Sequence, residues 1–264
     1  IANSLWGAEG TPFKKEFLKQ SEQYYDALVT ELDFSDPQAA KTINKWGSDQ
    51  TGGKIEEIVD PNIDPLTILF LINAVYFKGD WTKPFDEANT REEDFQLLDG
   101  TTKMVPMMVQ SGEYAYFRGK GFEAIQLPYG NEQLGMTVFL PDENSSLEHF
   151  HRKLNAHSWQ EWAAHFETIT GTIQMPRFEL EYEKRLNDAL KAMGMEAVFS
   201  EYHANFERMA DRPPNVYAKE VKHKSLIEVN EEGSEAAAAT SVEMPAPRES
   251  FNMRVDRPFF FTIQ

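Results

Sequence analysis

The sequence predicts an α+β fold, on three observations. Helix-period and strand-period stretches are mixed without the regular alternation of parallel βαβ units. Residues 66–77 are apolar on both faces, as in an inner strand of a covered sheet. Residues 101–141 read as an antiparallel meander whose segments are separated by Ser111-Gly112, Gly119 to Gly121 and Gly130-Asn131. No repeat and no linker divides the chain, so residues 1–264 are expected to form one domain.

Taken in order, the first six residues look like a strand already under way. Residues 12–24 follow with Phe13, Phe17 and Leu18 at helical spacing, and 28–32 as a short alternating strand. Asp36 and Pro37 announce a helix, because a capping carboxylate and a proline suit the free amides of a first turn. Ala40, Ile43 and Trp46 or Gly47 make its buried stripe, and Gly52-Gly53 ends it. Gly79 to Pro84 breaks the inner strand.

Met136, Val138 and Leu140 alternate on the last strand of the meander. Residues 146–164 read as helical and 169–182 as extended, with Phe178, Leu180 and Tyr182 on one face and Glu179 and Glu181 on the other. Residues 184–193 are again helical, capped by Gly194. Residues 216–230 form a long strand with Val221, His223, Ser225, Ile227 and Val229 on the expected buried face.

Composition excludes several classes of function. With 41% hydrophobic and 12% aromatic positions, the chain can bury a sizeable core. Its 43 acidic against 26 basic residues, net −17, repel polyanions, so neither nucleic acid nor an anionic membrane is an expected partner. The absence of Cys excludes disulfides, zinc thiolate sites and thiol catalysis. The longest apolar run is shorter than the roughly 20 residues of a membrane span.

Nucleophile-elbow, zinc-helix and phosphate-loop motifs are missing, which argues against an enzyme, and no cofactor is implied. His149 and His151, two apart, cannot share a helix face for a metal. Asn144-Ser145-Ser146 fits a glycosylation acceptor, a motif frequent by chance.

The stretch from Glu231 to Phe261 is unusual. Ser234, Ala236, Ala238, Thr240, Val242 and Met244 alternate, small or apolar, with positions that include Glu235, Ser241 and Glu243. One face suits burial in a sheet and the other suits water. Gly233 supplies a joint with the preceding strand. Pro245, Pro247, Arg248 and Glu249 follow as a polar, proline-bounded tip. An Ala-rich linker or short helix is the competing assignment, since Ala is the best helix former.

The run Glu231-Glu232-Gly233-Ser234-Glu235-Ala236-Ala237-Ala238-Ala239-Thr240, after Val229-Asn230, closely resembles the hinge of inhibitory serpins. Asp256-Arg257-Pro258-Phe259-Phe260-Phe261 is similar to the strand after their reactive loop. Further motifs in serpin order are Asn73-Ala74-Val75-Tyr76-Phe77-Lys78-Gly79-Asp80-Trp81, Val105-Pro106-Met107-Met108 and Met175-Pro176-Arg177-Phe178.

This resemblance implies a large central mixed β-sheet, further antiparallel sheets, surrounding helices and an exposed reactive-centre loop, with hinge and loop at 231–255. It also implies helices before Ile1 and a terminal strand after Gln264, so the chain is expected to be an incomplete serpin. The helix used for polysaccharide activation would lie in that earlier part, and no heparin dependence is carried over.

Functionally, the resemblance implies a monomeric suicide inhibitor of serine peptidases, with an extracellular setting favoured. A non-inhibitory serpin, a chaperone or small-molecule carrier, is the alternative, but such members tend to carry charged or bulky residues where this chain has Ser234 to Thr240. Arg177 and Glu231 are expected to pair, Asn73 and His223 to be the polar pair under the opening of the sheet, and Trp81 to be the tryptophan beside it.

Family spacing from Gly233 puts the scissile bond at Pro247–Arg248. Chemistry favours Arg248–Glu249, because proline before a cut fits few peptidase pockets while Arg248 offers a cation to a trypsin-like pocket. Ala246 and Val242 leave subtilisin-like or elastase-like targets open.

Overall fold

The computed structural model describes residues 2–64, 67–211, 217–218, 221–232 and 250–264. Among them the strands are, in chain order, β1 (Ala2–Ala8), β2 (Ala27–Leu32), β3 (Leu69–Phe77), β4 (Arg91–Gln96), β5 (Thr102–Gly119), β6 (Phe122–Tyr129), β7 (Leu134–Pro141), β8 (Glu167–Pro176), β9 (Phe178–Arg185), β10 (Lys222–Val229), β11 (Ser250–Arg254) and β12 (Phe260–Ile263). The α-helices are α1 (Lys15–Tyr25), α2 (Ala39–Gln50), α3 (Leu147–Lys153), α4 (Ala156–Ala163) and α5 (Asn187–Leu190). The chain divides into two compact units, one of Ile1–Phe77 with Glu179–Ile227 and one of Lys78–Phe178 with Glu228–Gln264.

The first unit is built on a mixed sheet of order β2-β1-β3-β10-β9. β3 runs antiparallel to β1 and parallel to β10. Its core gathers Trp6 from β1, Ile43 from α2, Ile55, Ile72 from β3 and Leu226 from β10. Each such side chain contributes about 1.5–3 kcal/mol on burial. In α2, Gly47 faces the core, where a Cβ would collide with Ile58; of Trp46 and Gly47, the glycine is the buried one. The helix starts two residues later than expected, with Gln38 at its cap; Asp36 instead makes the turn before it, taking the amide of Gln38 on its carboxylate at 2.8 Å. Gly52 and Gly53, with φ of 61° and 83°, close the helix as expected.

The second unit carries a sheet of order β11-β8-β5-β6-β7-β12, with β4 paired to β5. Helices α3 and α4 pack Phe150 and Trp162 on Phe122 and Phe139 of β6 and β7. The expected single helix over 146–164 is two. Ser146 caps the first, and Asn155, in a reciprocal capping box with Ser158, starts the second.

Three further expectations are corrected. β5 runs unbroken through Ser111-Gly112, because Gly112 stays paired, opposite Gly171 of β8. The strand changes partners along its length: β4 along 102–107, β8 along 107–116 and β6 along 115–119. β3 is not covered on both faces, since Leu71 is 61% exposed. In β10 the side chain in the first unit's core is Leu226, on the face opposite the one expected; on the expected face Val229 is buried, but His223, Ser225 and Ile227 are only half-buried. An alternating strand with apolar residues on both sides does not by itself reveal which face meets a core.

Candidate functional site

The chain leaves β10 at Val229 and enters the residues read as a hinge. Glu231 and Glu232 are described; Gly233, Ser234, Glu235, Ala236, Ala237, Ala238, Ala239 and Thr240, and the bait residues Pro247, Arg248 and Glu249, lie outside the described residues.

Glu231 is 2% exposed. Burying a carboxylate requires charged or hydrogen-bonded compensation, and two groups supply it. The Thr90 hydroxyl donates to Oε1 at 2.7 Å, and Nη1 of Arg177 lies 3.5 Å from Oε2. Arg177 occupies the single position between β8 and β9, where its own amide donates to the carbonyl of Pro106. Its side chain is half exposed, so water competes for the guanidinium and weakens the pair.

The backbone of Asn230 and Glu231 is held by the segment that follows β3. Phe85 N–H donates to the Glu231 carbonyl at 3.0 Å, and Trp81 Nε1 donates to the Asn230 carbonyl at 2.8 Å. Trp81 is buried and stacks on Tyr129, with ring centroids 4.4 Å apart and planes 13° from parallel, while Phe85 meets it edge-on. Burial raises the Tyr129 phenol above its ordinary value and keeps it protonated. Trp81 is thus both a core aromatic and a direct hydrogen-bond donor to the residue that leads into the hinge.

Asn73 and His223 lie in the first unit. They are register partners on the parallel strands β3 and β10, and on the other side of β3 Asn73 is the partner of Asn3 in β1. The three residues form one row across three strands. Asn73 Nδ2 donates to Asn3 Oδ1 at 2.9 Å, and Asn3 Nδ2 to the carbonyl of Tyr25 at the end of α1. The His223 ring lies 6.4 Å from that of Tyr182 on β9.

Sequence reasoning named Arg177, Glu231, Trp81, Asn73 and His223, and the structure brings the first three together in one unit. It missed Thr90, Asn230, Phe85 and Asn3. A lone threonine before a strand carries no signal of its own, and the Asn230 and Phe85 contacts are made by backbone groups. Asn3 in an otherwise apolar strand was a readable hint, since a polar side chain there needs a partner.

Comparison with known proteins identifies the family. The whole chain, residues 1–264, matches the family model described as Serpin (serine protease inhibitor). It is 33% identical to Serpin B11 of Homo sapiens over 100% of this chain and 69% of that protein. It is 37% identical to an uncharacterized serpin-like protein of Thermococcus kodakarensis, over 99% of this chain and 62% of the relative. Leukocyte elastase inhibitor of Bos taurus is 35% identical, over 100% and 73%.

Among solved structures, native protease nexin-1 with heparin matches at a TM-score of 0.90 and 28% identity, over 100% of this chain and 72% of that one. Tengpin, a thermophilic serpin in the native state, matches at 0.87 and 30%, over 99% and 68%. The chain therefore spans about two thirds of the length of these relatives, and it belongs to the serpin family, with the α+β serpin fold.

Proposed function

We propose that this protein inhibits serine peptidases as a suicide substrate. A peptidase attacks the loop at Arg248–Glu249, forms an acyl-enzyme, and is trapped when the cut loop enters the first unit's sheet as a new strand. Serpins are mostly protease inhibitors and not enzymes, and loop insertion is the family's established switch.

The observation that carries this reading is the parallel pairing of β3 with β10. The chain leaves the end of β10 through Gly233, so a segment that reverses there runs antiparallel to β10. Because β3 is parallel to β10, the same segment is antiparallel to β3 as well. Insertion replaces one parallel ladder by two antiparallel ones, which are slightly more stable per residue. Roughly a dozen new ladder bonds at about 0.5–1.5 kcal/mol each supply on the order of 10 kcal/mol.

Ser234, Ala236, Ala238 and Thr240 place no charge and no bulky group on the face that would be buried. Arg248 offers a cation to a pocket bearing a carboxylate, which favours trypsin-like targets. The test is to incubate the full-length protein with trypsin-like, subtilisin-like and elastase-like peptidases and separate the products in hot detergent. The proposal expects a covalent complex with a trypsin-like enzyme and a released peptide beginning at Glu249. Cleavage without any complex contradicts it.

A further inference from the structure

Gln110 lies on β5 opposite Ile173 of β8 and is 8% exposed. A primary amide in such a place must find partners for two N–H donors and a carbonyl. Nε2 donates to the carbonyls of Lys83 at 2.9 Å and Pro84 at 2.5 Å, and Oε1 accepts from the Tyr114 hydroxyl. Backbone carbonyls only accept, so the orientation of the amide follows from its surroundings. Burial keeps the Tyr114 phenol protonated and therefore able to donate.

The backbone that Gln110 grips belongs to no regular strand. Its position is set by its own donors to carbonyls around it. Lys83 Nζ donates to the Ser111 carbonyl at 2.7 Å, passing over Gly112, where a Cβ would stand 3.3 Å from that nitrogen. Thr82 is tied through its amide to the Pro128 carbonyl and through its hydroxyl to the Gly130 carbonyl. From this short segment two donors project the other way, the Trp81 indole to the Asn230 carbonyl and the Phe85 amide to the Glu231 carbonyl. Phe85 is the residue next to Pro84, and a shift of the Pro84 carbonyl rotates the peptide plane that carries the Phe85 N–H.

We infer that Gln110 is a positioning residue for the hinge: by fixing the Lys83 and Pro84 carbonyls, it aims the Phe85 amide at Glu231 and sets how readily the segment after β10 leaves its native seat. This rests on the inhibitory reading above. Gln110 does not touch the hinge itself, and it acts only through residues 83–85.

The experiment uses the full-length protein and its Gln110→Leu, Gln110→Glu and Tyr114→Phe variants, with Phe122→Leu as a control that weakens a core in the same unit away from the hinge. Each is held below its melting temperature in the absence of peptidase. The readout is conversion to a monomer that has lost complex formation yet resists heat and urea, the signature of a loop that has inserted uncut.

Gln110→Leu is expected to convert about tenfold faster than wild type, equivalent to about 1.4 kcal/mol of barrier. Gln110→Glu, which sets a carboxylate against two carbonyls, should be at least as fast, and Tyr114→Phe intermediate. A purely structural role would yield aggregation instead of a heat-resistant monomer, or an equal acceleration in Phe122→Leu, and either result overturns the inference.

Should Gln110→Leu fail to fold, Tyr114→Phe decides: a wild-type rate there overturns the inference. Wild-type protein that forms no detergent-resistant complex overturns the inhibitory reading and this inference with it. Wild-type protein that forms complexes, with Gln110→Leu converting no faster, overturns this inference alone.

Discussion

The carboxylate of Glu231 is held more closely by the hydroxyl of Thr90, at 2.7 Å, than by the guanidinium of Arg177, at 3.5 Å. A side chain that is 2% exposed therefore depends on a neutral donor as much as on its counter-ion. The ion pair suggested by family resemblance is one half of the hinge's anchor.

Removing either partner leaves a buried charge under-compensated. Breaking a fully buried pair costs about 3–5 kcal/mol. The exposure of Arg177 lowers that, and we expect Arg177→Met to cost about 1–2 kcal/mol and Thr90→Val a similar amount, as for a buried acceptor losing its donor. Urea midpoints at neutral pH measure both. The double variant should lose less than the sum if the two groups share one carboxylate, and strict additivity would contradict the shared role.

Trp81→Phe separates the two roles of that residue. Phenylalanine keeps a ring against Tyr129 but has no N–H for the Asn230 carbonyl. The expected cost is about 1–3 kcal/mol in unfolding free energy, chiefly from the orphaned carbonyl, and the variant should convert faster to the inserted form. Unchanged stability would show that the indole N–H contributes nothing.

Glycines 112 and 171 face each other across β5 and β8, yet alanine should be tolerated at only one of them. A Cβ on Gly171 would overlap the Phe251 ring and stand 2.5 Å from the Phe251 carbonyl, whereas on Gly112 it meets the end of the Lys83 side chain and the Tyr114 ring at 3.3 Å. Backbone cannot yield as a lysine tip can. Gly171→Ala should cost about 1–3 kcal/mol or more and displace β11, while Gly112→Ala should cost under about 1 kcal/mol. Denaturant midpoints of the two variants give the comparison directly.

Glu123 on β6 is a partly buried acid with a defined pH signature. Desolvation raises its pKa above the ordinary 4.5, against the opposing hydrogen bond from the Tyr116 hydroxyl and the charge of Arg118. A raised native value means that the folded state binds the proton more tightly than the unfolded chain. Stability contributed by this site is therefore present below the unfolded value and is lost as pH rises through the folded one. Glu123→Gln removes that loss. The melting temperature of the variant relative to wild type should accordingly rise between pH 4 and about pH 7; a difference that falls over the same range would contradict the assignment.

Much of this was legible in the sequence because local chemistry and long-range packing agree there. The α2 turn at Asp36, the glycines after it and the paired apolar strands of β6 and β7 each follow from residue type and spacing. Where they compete, the reading failed. Ser111-Gly112 has the chemistry of a turn, but pairing with β8 holds it extended. Leu226 and Ile227 are both apolar, and only the tertiary fold decides which meets Trp6 and Ile72. At the site, the charged and aromatic members stand out by type. Gln110, Thr90 and the carbonyls of Lys83, Pro84 and Asn230 act through geometry that no local pattern encodes.

The central claim is that cutting the loop lets it enter the sheet between β3 and β10. Melting the intact full-length protein beside the same protein nicked after Arg248 tests this most directly. Ladder formation worth on the order of 10 kcal/mol predicts that the nicked form stays folded at temperatures that unfold the intact one, with a rise of tens of degrees. Equal melting temperatures, or a nicked form that melts earlier, would contradict insertion.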